Sequence, residues 1–210
     1  MLKILIADDF PLFRRGVKEL LTDGLGEITV GECGDAYELQ DLVRKKKWDL
    51  VIMDITMPGT TGTEALKQLK ANHPKVPVLV LSMHPEDQYA IRMFKAGAEG
   101  YLAKASAPEE LVAAVKKILG GGQYVSPSLA ETLALTLKTH TGGAPHEHLS
   151  DREYEVMCLI ASGRTVSEIA ETMHLGVTTI STYRARILEK MNLKNNAELT
   201  HYALKHRLVS

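Results

Sequence analysis

Along the first 120 residues the apolar positions gather into short runs: "KILIAD" (3–8), "EITVGEC" (27–33), "DLVIMD" (49–54), "VPVLVLS" (76–82) and "GYLAK" (100–104). Between them the pattern changes to amphipathic stretches at roughly 11–22, 35–47, 62–72, 86–96 and 107–119. Near-continuous apolar runs, each followed by a helical pattern, predict strands of a parallel sheet covered by helices on both faces. Five such units predict one doubly wound α/β domain with a five-stranded parallel sheet.

The alternation stops at "GGGQYVSPSLAETLALTLKTHTGGAPHEH". Its glycines and Ser126-Pro127 mark a break. Leu129, Leu133 and Leu137, with Ala130 and Ala134, then predict a short helix, and "THTGGAPHEH" has the composition of a tether. From Leu149 only helical periods occur, at about 151–162, 166–173, 177–191 and 195–206. The expected organisation is an α/β domain over 1–120, a linker with a short helix over 121–148, and a four-helix all-α domain over 149–210.

Charge narrows this only slightly. Lys and Arg number 25 against 26 Asp and Glu, a net charge of −1, so any nucleic-acid affinity must come from a local patch. Cys33 and Cys158 stand alone, which argues against a disulfide framework or a zinc site and for a reducing compartment. No apolar stretch reaches the ~18 residues of a membrane span, and Lys3 is followed by a short apolar run ending in acids rather than by a signal peptide. The expected location is cytoplasmic, with no membrane partner. The "RKKK" at 44–47 suits a solvated helix end, and His140, His146 and His148 suit a hydrated linker, with metal binding as the alternative for the histidines.

The candidate chemistry lies at the ends of the strands, where open parallel sheets bind their ligands. Asp8 and Asp9 end the first strand and Asp54 the third. If those strands are neighbours, the carboxylates converge, and without a counterion they would raise one another's pKa values. Mg²⁺, which takes carboxylate, carbonyl and water oxygens, resolves the conflict. Ser82 ends the fourth strand and Lys104 lies near the end of the fifth, adding a hydroxyl and an ammonium. Acids, hydroxyl and lysine around a cation suit a phosphoryl group, with Asp54 as the candidate nucleophile. Any one of these acids alone reads equally as a turn or cap residue. No G-x-G-x-x-G follows the first strand, which argues against a dinucleotide site.

The segments "ILIADDF…VIMDITMPGTTG…VLVLSMH…GYLAK" resemble the receiver domain of bacterial two-component response regulators over essentially all of residues 1–120. The resemblance implies a flavodoxin-like receiver in which Asp54 accepts a phosphoryl group from a phosphohistidine on a sensor histidine kinase. It further implies Mg²⁺ bound directly by Asp9, through water by Asp8, and also by Asp54 and the backbone carbonyl of Thr56. Ser82 and Tyr101 match the switch positions, Lys104 the phosphate-contacting lysine, and "MPG" with Gly62 the loop beyond the acceptor. Tyr101 taken alone reads as core. Ala105 departs from the proline common after that lysine. A second acid two residues past the nucleophile, as phosphatases carry, is replaced by Thr56. The expected protein is therefore a phosphoacceptor rather than an enzyme, with at most self-phosphorylation and slow self-dephosphorylation.

The tail from Leu149 to Ser210 resembles the LuxR-type helix-turn-helix of the NarL/FixJ group, above all in "LSDREYEVM" and "SEIAETMHLGVTTISTYRARILEKM". Ile169, Ala170 and Met173 form one inward face, and Ile180, Ile187 and Met191 another. At 100° per residue Thr178, Ser181, Thr182, Ala185 and Glu189 fall on the opposite side. Such a hydroxyl stripe fits a DNA major groove, bordered by Arg184, Arg186, Lys190 and Lys194 for phosphates. Gly176 caps this helix where many relatives carry Ser or Thr. Residues 149–210 hold eight Lys/Arg against seven Asp/Glu, so useful affinity for double-stranded DNA is expected to need two copies on paired half-sites. The whole resembles a transcriptional response regulator, expected to act as a homodimer when phosphorylated and to meet RNA polymerase at its promoters. In the switching it implies, Tyr101 moves inward on phosphorylation. DNA binding regardless of phosphorylation, or a helix-turn-helix used for protein docking, are the alternatives. Leu199, Tyr202, Ala203 and Leu204 form an apolar edge for pairing or for core.

Overall fold

The computed structural model describes residues 1–57, 60–83, 86–131, 144–206 and 208–209, with the side chains of residues 87 and 88 left aside. The chain divides into two compact units, Met1–Leu133 and Ala134–Ser210.

In the first unit the five apolar runs form β1 (Leu2–Ala7), β2 (Ile28–Cys33), β3 (Leu50–Asp54), β4 (Val78–Ser82) and β5 (Gly100–Ala103). They make one parallel sheet in the order β2-β1-β3-β4-β5. Five helices alternate with them: α1 (Pro11–Leu25), α2 (Ala36–Lys45), α3 (Gly62–Asn72), α4 (Glu86–Lys95) and α5 (Ala107–Leu119). Side chains alternate across a strand, so Ile4, Ile6, Leu50, Ile52, Leu79, Leu81 and Leu102 share one face and pack with Val17 and Leu21 of α1 and Leu111, Val115 and Ile118 of α5. The intervening residues Leu5, Val51, Met53, Val80 and Tyr101 are equally buried on the other face, on the side of α2, α3 and α4.

Local caps set several boundaries. Asp35 accepts from the backbone N–H groups of Tyr37 and Glu38, and Thr61 from that of Glu64, satisfying helix N-termini that would otherwise lack partners. Gly62 lies so close to the backbone of Ile55 that a Cβ would come within 2.2 Å of its Cα. Glycine there lets the loop after β3 fold back on itself. The remainder of that loop, Pro58 and Gly59 of the expected "MPG" match, lies outside the described residues.

Past α5 the chain keeps packing on the same unit. Tyr124 forms a bridge with Gly100 beside β5, and Ser126, itself buried, donates to Glu86 at the start of α4. Ser126 Oγ also accepts from Leu129 N–H, at the start of the helical turn 127–131. The rest of the expected linker helix, with Leu133, Ala134 and Leu137, and the histidine at 140 lie outside the described residues.

Among its described residues the second unit has a 3-10 turn, Pro145–His148, followed by α6 (Asp151–Ala161), α7 (Val166–Thr172), α8 (Val177–Lys190) and α9 (Asn196–Lys205). Ser150 with Glu153 and Thr165 with Glu168 form capping boxes at α6 and α7. Ile169, Ala170, Met173, Ile180, Ile187 and Met191 are buried as their spacing predicts. On α9 the expected apolar edge divides: Leu199 and Ala203 are fully buried core, Leu204 is exposed, and the Tyr202 hydroxyl lies 2.9 Å from Nδ1 of His146. That aromatic contact gives His146 a packing role within this unit. No helix among the described residues is long and apolar enough to cross a membrane.

Candidate functional site

The register of the sheet explains why the separated acids meet. Ala7 pairs with Met53, so Asp8 follows β1 at the level of Asp54, the last residue of β3. Asp8 and Asp54 continue the alternation of Ile6 and Ile52, and Lys104 that of Leu102, so all three emerge on one face at the carboxyl rim. Between the parallel β1 and β3 the order in which successive strands are laid down reverses, the place where open sheets form their crevice.

Carboxylate oxygens of Asp8, Asp9 and Asp54 all lie within 4.8 Å of one another. Lys104 opens the 3-10 turn Lys104–Ser106, one residue beyond the end of β5, and that turn also contains Ala105. Its Nζ donates to Asp54 Oδ2 at 2.7 Å and forms an ion pair with Asp8 Oδ2 at 2.6 Å. Asp8 Oδ2 is thus held by the ammonium, whereas Asp9 Oδ1 is a buried oxygen without a hydrogen-bond donor. Burial pushes the Asp8 carboxyl above its ordinary value, and Lys104 offsets only part of that. Burial works against the Lys104 ammonium, but its bonds to Asp54 and Asp8 prevail and hold its pKa above the usual value.

Asp54 is 1% exposed and fully engaged. Oδ1 accepts from Thr56 N–H at 3.0 Å, and Oδ2 accepts from the Thr56 hydroxyl at 2.7 Å as well as from Lys104. The Thr56 side chain was not foreseen as a donor to the acid. The rings of Phe13 and Phe10 were not foreseen either; their centroids lie 4.4 Å and 5.6 Å from Lys104 Nζ. The apolar phase of α1 could have suggested Phe13. Ser82 closes β4, fully buried, one register step beyond Leu81, the partner of Asp54. Tyr101 is also fully buried. The expected inward movement of Tyr101 therefore has no outward starting point in this arrangement.

The donor set fits a hard divalent cation. Three carboxylates face one ammonium, an excess of two negative charges, and the buried Asp9 Oδ1 has no hydrogen-bond donor. Oxygen-only ligands and that charge match Mg²⁺.

In the helical unit, Thr178, Ser181, Thr182, Ala185, Arg186, Lys190 and Lys194 are exposed and Arg184 is half-buried. Two of the basic side chains have protein partners: Arg184 Nε donates to Asn196 Oδ1 and Lys190 Nζ to Glu153 Oε2, both at 2.6 Å. The Thr182 hydroxyl turns back to the Thr178 carbonyl at 2.9 Å.

Comparison with known proteins gives the same division. Residues 4–116 match the response regulator receiver domain, and residues 147–203 match the bacterial regulatory proteins of the luxR family. The chain is 34% identical to the response regulator UvrY of Escherichia coli (strain K12) over 209 residues, covering 99% of this chain and 96% of UvrY. It is 35% identical to the response regulator GacA of Pseudomonas aeruginosa over 210 residues, covering all of this chain and 98% of GacA. Among solved structures, RcsB from Salmonella enterica serovar Typhimurium, bound to promoter rprA in the presence of the phosphomimetic BeF3-, superposes with a TM-score of 0.65 at 27% identity, over 96% of this chain and 98% of RcsB. A LuxR-family two-component response regulator from Aurantimonas sp. SI85-9A1 superposes with a TM-score of 0.61 at 36% identity, over 65% of this chain and 97% of that one. The chain belongs to the response regulators of the NarL/FixJ family, which join a receiver domain to a LuxR-type DNA-binding domain.

Proposed function

We propose that Asp54 accepts a phosphoryl group from a phosphohistidine of a sensor histidine kinase, and that its phosphorylation controls dimerisation and sequence-specific DNA binding. The observation that carries this reading is the convergence of Asp8, Asp9 and Asp54 with Lys104 at the rim of the sheet. In the transfer an Asp54 oxygen forms the new O–P bond while the P–N bond breaks, and the histidine nitrogen keeps the electron pair. Asp8, Asp9, Asp54 and the backbone carbonyl of Thr56 would hold Mg²⁺. When bound, that ion neutralises negative charge on the transferring group. Lys104, kept protonated by its two acids, is available to the phosphoryl oxygens, and the Ser82 hydroxyl can donate to one of them. Tyr101, already buried in this arrangement, acts with Ser82 as the switch through a change in its packing rather than by an inward swing. Thr56 has no carboxyl with which to activate water, so the acyl phosphate persists as a signal rather than turning over.

In this reading the receiver spans 1–120 and the DNA-binding domain 149–210, with 121–148 connecting them. Thr178, Ser181, Thr182 and Ala185 face the bases of a major groove, while Arg184, Arg186, Lys190 and Lys194 reach phosphates. The near balance of eight basic and seven acidic residues over 149–210 makes two copies on paired half-sites necessary for useful affinity. DNA-bound dimers of the similar RcsB support this arrangement. RNA polymerase is the further partner at a promoter, and the cytoplasm is the compartment.

The test is intact-mass analysis after incubation with acetyl phosphate and Mg²⁺. The wild type gains one phosphoryl group and the Asp54→Asn protein gains none. An Asp54→Asn protein that is phosphorylated as the wild type is would overturn the assignment. For the output, Arg184→Ala/Arg186→Ala is expected to weaken DNA binding and flatten its salt dependence. Unchanged affinity and slope would favour a protein-docking role instead.

A further inference from the structure

Arg14, in the second turn of α1, has a role that the phosphoryl chemistry alone does not require. Asp8 stands where β1 ends and the two acids begin. Its N–H donates to the Cys33 carbonyl at 3.1 Å, the last link of the ladder to β2. Its Oδ1 accepts from Phe10 N–H at 2.8 Å, which closes the turn into α1. The carbonyl of Asp8, joined directly to Asp9, lies beyond that ladder and accepts from Arg14 Nη1 at 2.6 Å. The other edge of the guanidinium is fixed as well, because Nε meets Glu32 Oε2 on β2 at 3.3 Å, and Lys18 Nζ lies 3.6 Å from Oε1 of the same glutamate. The Arg14 side chain is only 17% exposed.

From this geometry we infer that Arg14 is a positioning residue for the acid pair: it clamps the peptide between Asp8 and Asp9, so that both carboxylates are held toward the cation site before any ion arrives. The inference rests on the Mg²⁺ reading given above. Two adjacent acids repel each other, and an unclamped peptide would let Asp9 swing toward water. A planar guanidinium with donors on two edges can span the Asp8 carbonyl and Glu32 together, and an ammonium cannot. Arg14 touches backbone and Glu32 rather than the reacting atoms, so its effect should appear in cation affinity and not in the transfer itself. Residues that orient metal ligands from behind typically contribute about 10–100-fold to affinity.

The experiment is a Mg²⁺ titration of the full-length protein by calorimetry, with thermal unfolding and acetyl phosphate labelling alongside. Arg14→Gln should raise the Mg²⁺ Kd about tenfold, while labelling at saturating Mg²⁺ returns to the wild-type rate. Arg14→Lys should recover part of the affinity. Glu32→Gln, which releases the far anchor and leaves Arg14 in place, should raise Kd by less than Arg14→Gln. Should Arg14→Gln not fold, Arg14→Lys and Glu32→Gln carry the test. Variants that unfold at lower temperature yet bind Mg²⁺ as tightly as the wild type would make Arg14 merely structural and overturn the proposal. A wild type that binds no Mg²⁺, or an Asp9→Asn protein that binds it unchanged, would overturn the metal reading first and this proposal with it.

Discussion

In the receiver, Asp8, Asp54, Ser82 and Lys104 are each less than a tenth exposed, whereas on α8 Thr178, Ser181, Thr182, Ala185 and Arg186 all stand in solvent. The two regions solve opposite problems. A phosphoryl acceptor needs charges withdrawn from water, where Coulomb interactions are strong and positions are fixed. A groove-reading helix needs its polar atoms outside, free to exchange water for base edges. Buried charge therefore ties the receiver's site to its fold, while the candidate DNA contacts can be changed with little effect on stability.

The sharpest way to break that contrast is to remove the receiver's buried cation. Lys104→Met leaves Asp8 and Asp54 uncompensated and should cost the first unit about 3–5 kcal/mol in the absence of divalent cations, by denaturant unfolding. In the wild type the raised pKa of Lys104 has a definite sign. Its stabilising contribution is complete below the ordinary value of 10.5 and should fade as pH rises through the higher folded-state value. An unfolding midpoint for the receiver that does not fall in alkali would contradict the pairing described.

On α8 one helix carries both kinds of residue. Ile187→Ala, at a fully buried position, should destabilise the helical unit by about 2–5 kcal/mol. Ser181→Ala, six residues earlier on the exposed face, should shift stability by no more than about 0.5 kcal/mol. It should nevertheless weaken operator binding about fivefold, the loss of roughly one hydrogen bond of 1 kcal/mol. Equal effects of the two changes on stability would erase the distinction between core and reading face.

A more modest effect than those of Lys104 and Ile187 concerns Glu153, whose environment resembles that of the receiver acids in miniature. Burial alone would raise its carboxyl pKa, but the Lys190 ammonium and the N–H and hydroxyl of Ser150 prevail and hold it below the ordinary 4.5. Its contribution is present above 4.5 and should be lost as pH falls through the depressed value. Lys190 is 42% exposed, so the ion pair adds little and the capping box dominates, at about 1 kcal/mol. Glu153→Gln should remove this acid limb from the pH profile of the helical unit. The same experiment tests Lys190, which must leave Glu153 before it can serve a phosphate.

Much of this was legible in the sequence because it depends on local period. Five apolar runs, four of them ending at Asp8-Asp9, Asp54, Ser82 or near Lys104, were enough to anticipate a parallel sheet with a polar rim. The 3.6-residue period of Ile180 and Ile187 separated core from solvent on α8. Arg14 and the Phe13 ring escaped that reading, because each acts on a residue from another element and no spacing records such a contact; the Thr56 hydroxyl, only two residues past Asp54, depends on how the loop after β3 turns back. The engagement of Arg184 by Asn196 and of Lys190 by Glu153 was hidden for the same reason. On α9, period placed Leu199, Ala203 and Leu204 on one edge, but only packing decided that the first two belong to the core and the third to the surface.

By itself, then, the sequence determined which elements form, which faces they bury and which residue types stand at the strand ends, since propensity and periodicity act over a few neighbouring residues. The tertiary structure alone decided that β1 lies beside β3, that Ala7 is in register with Met53, and that Lys104 lands between Asp8 and Asp54. Strand order and register are set by long-range packing of the two sheet faces, and a slip of one residue would have turned those side chains to the opposite side.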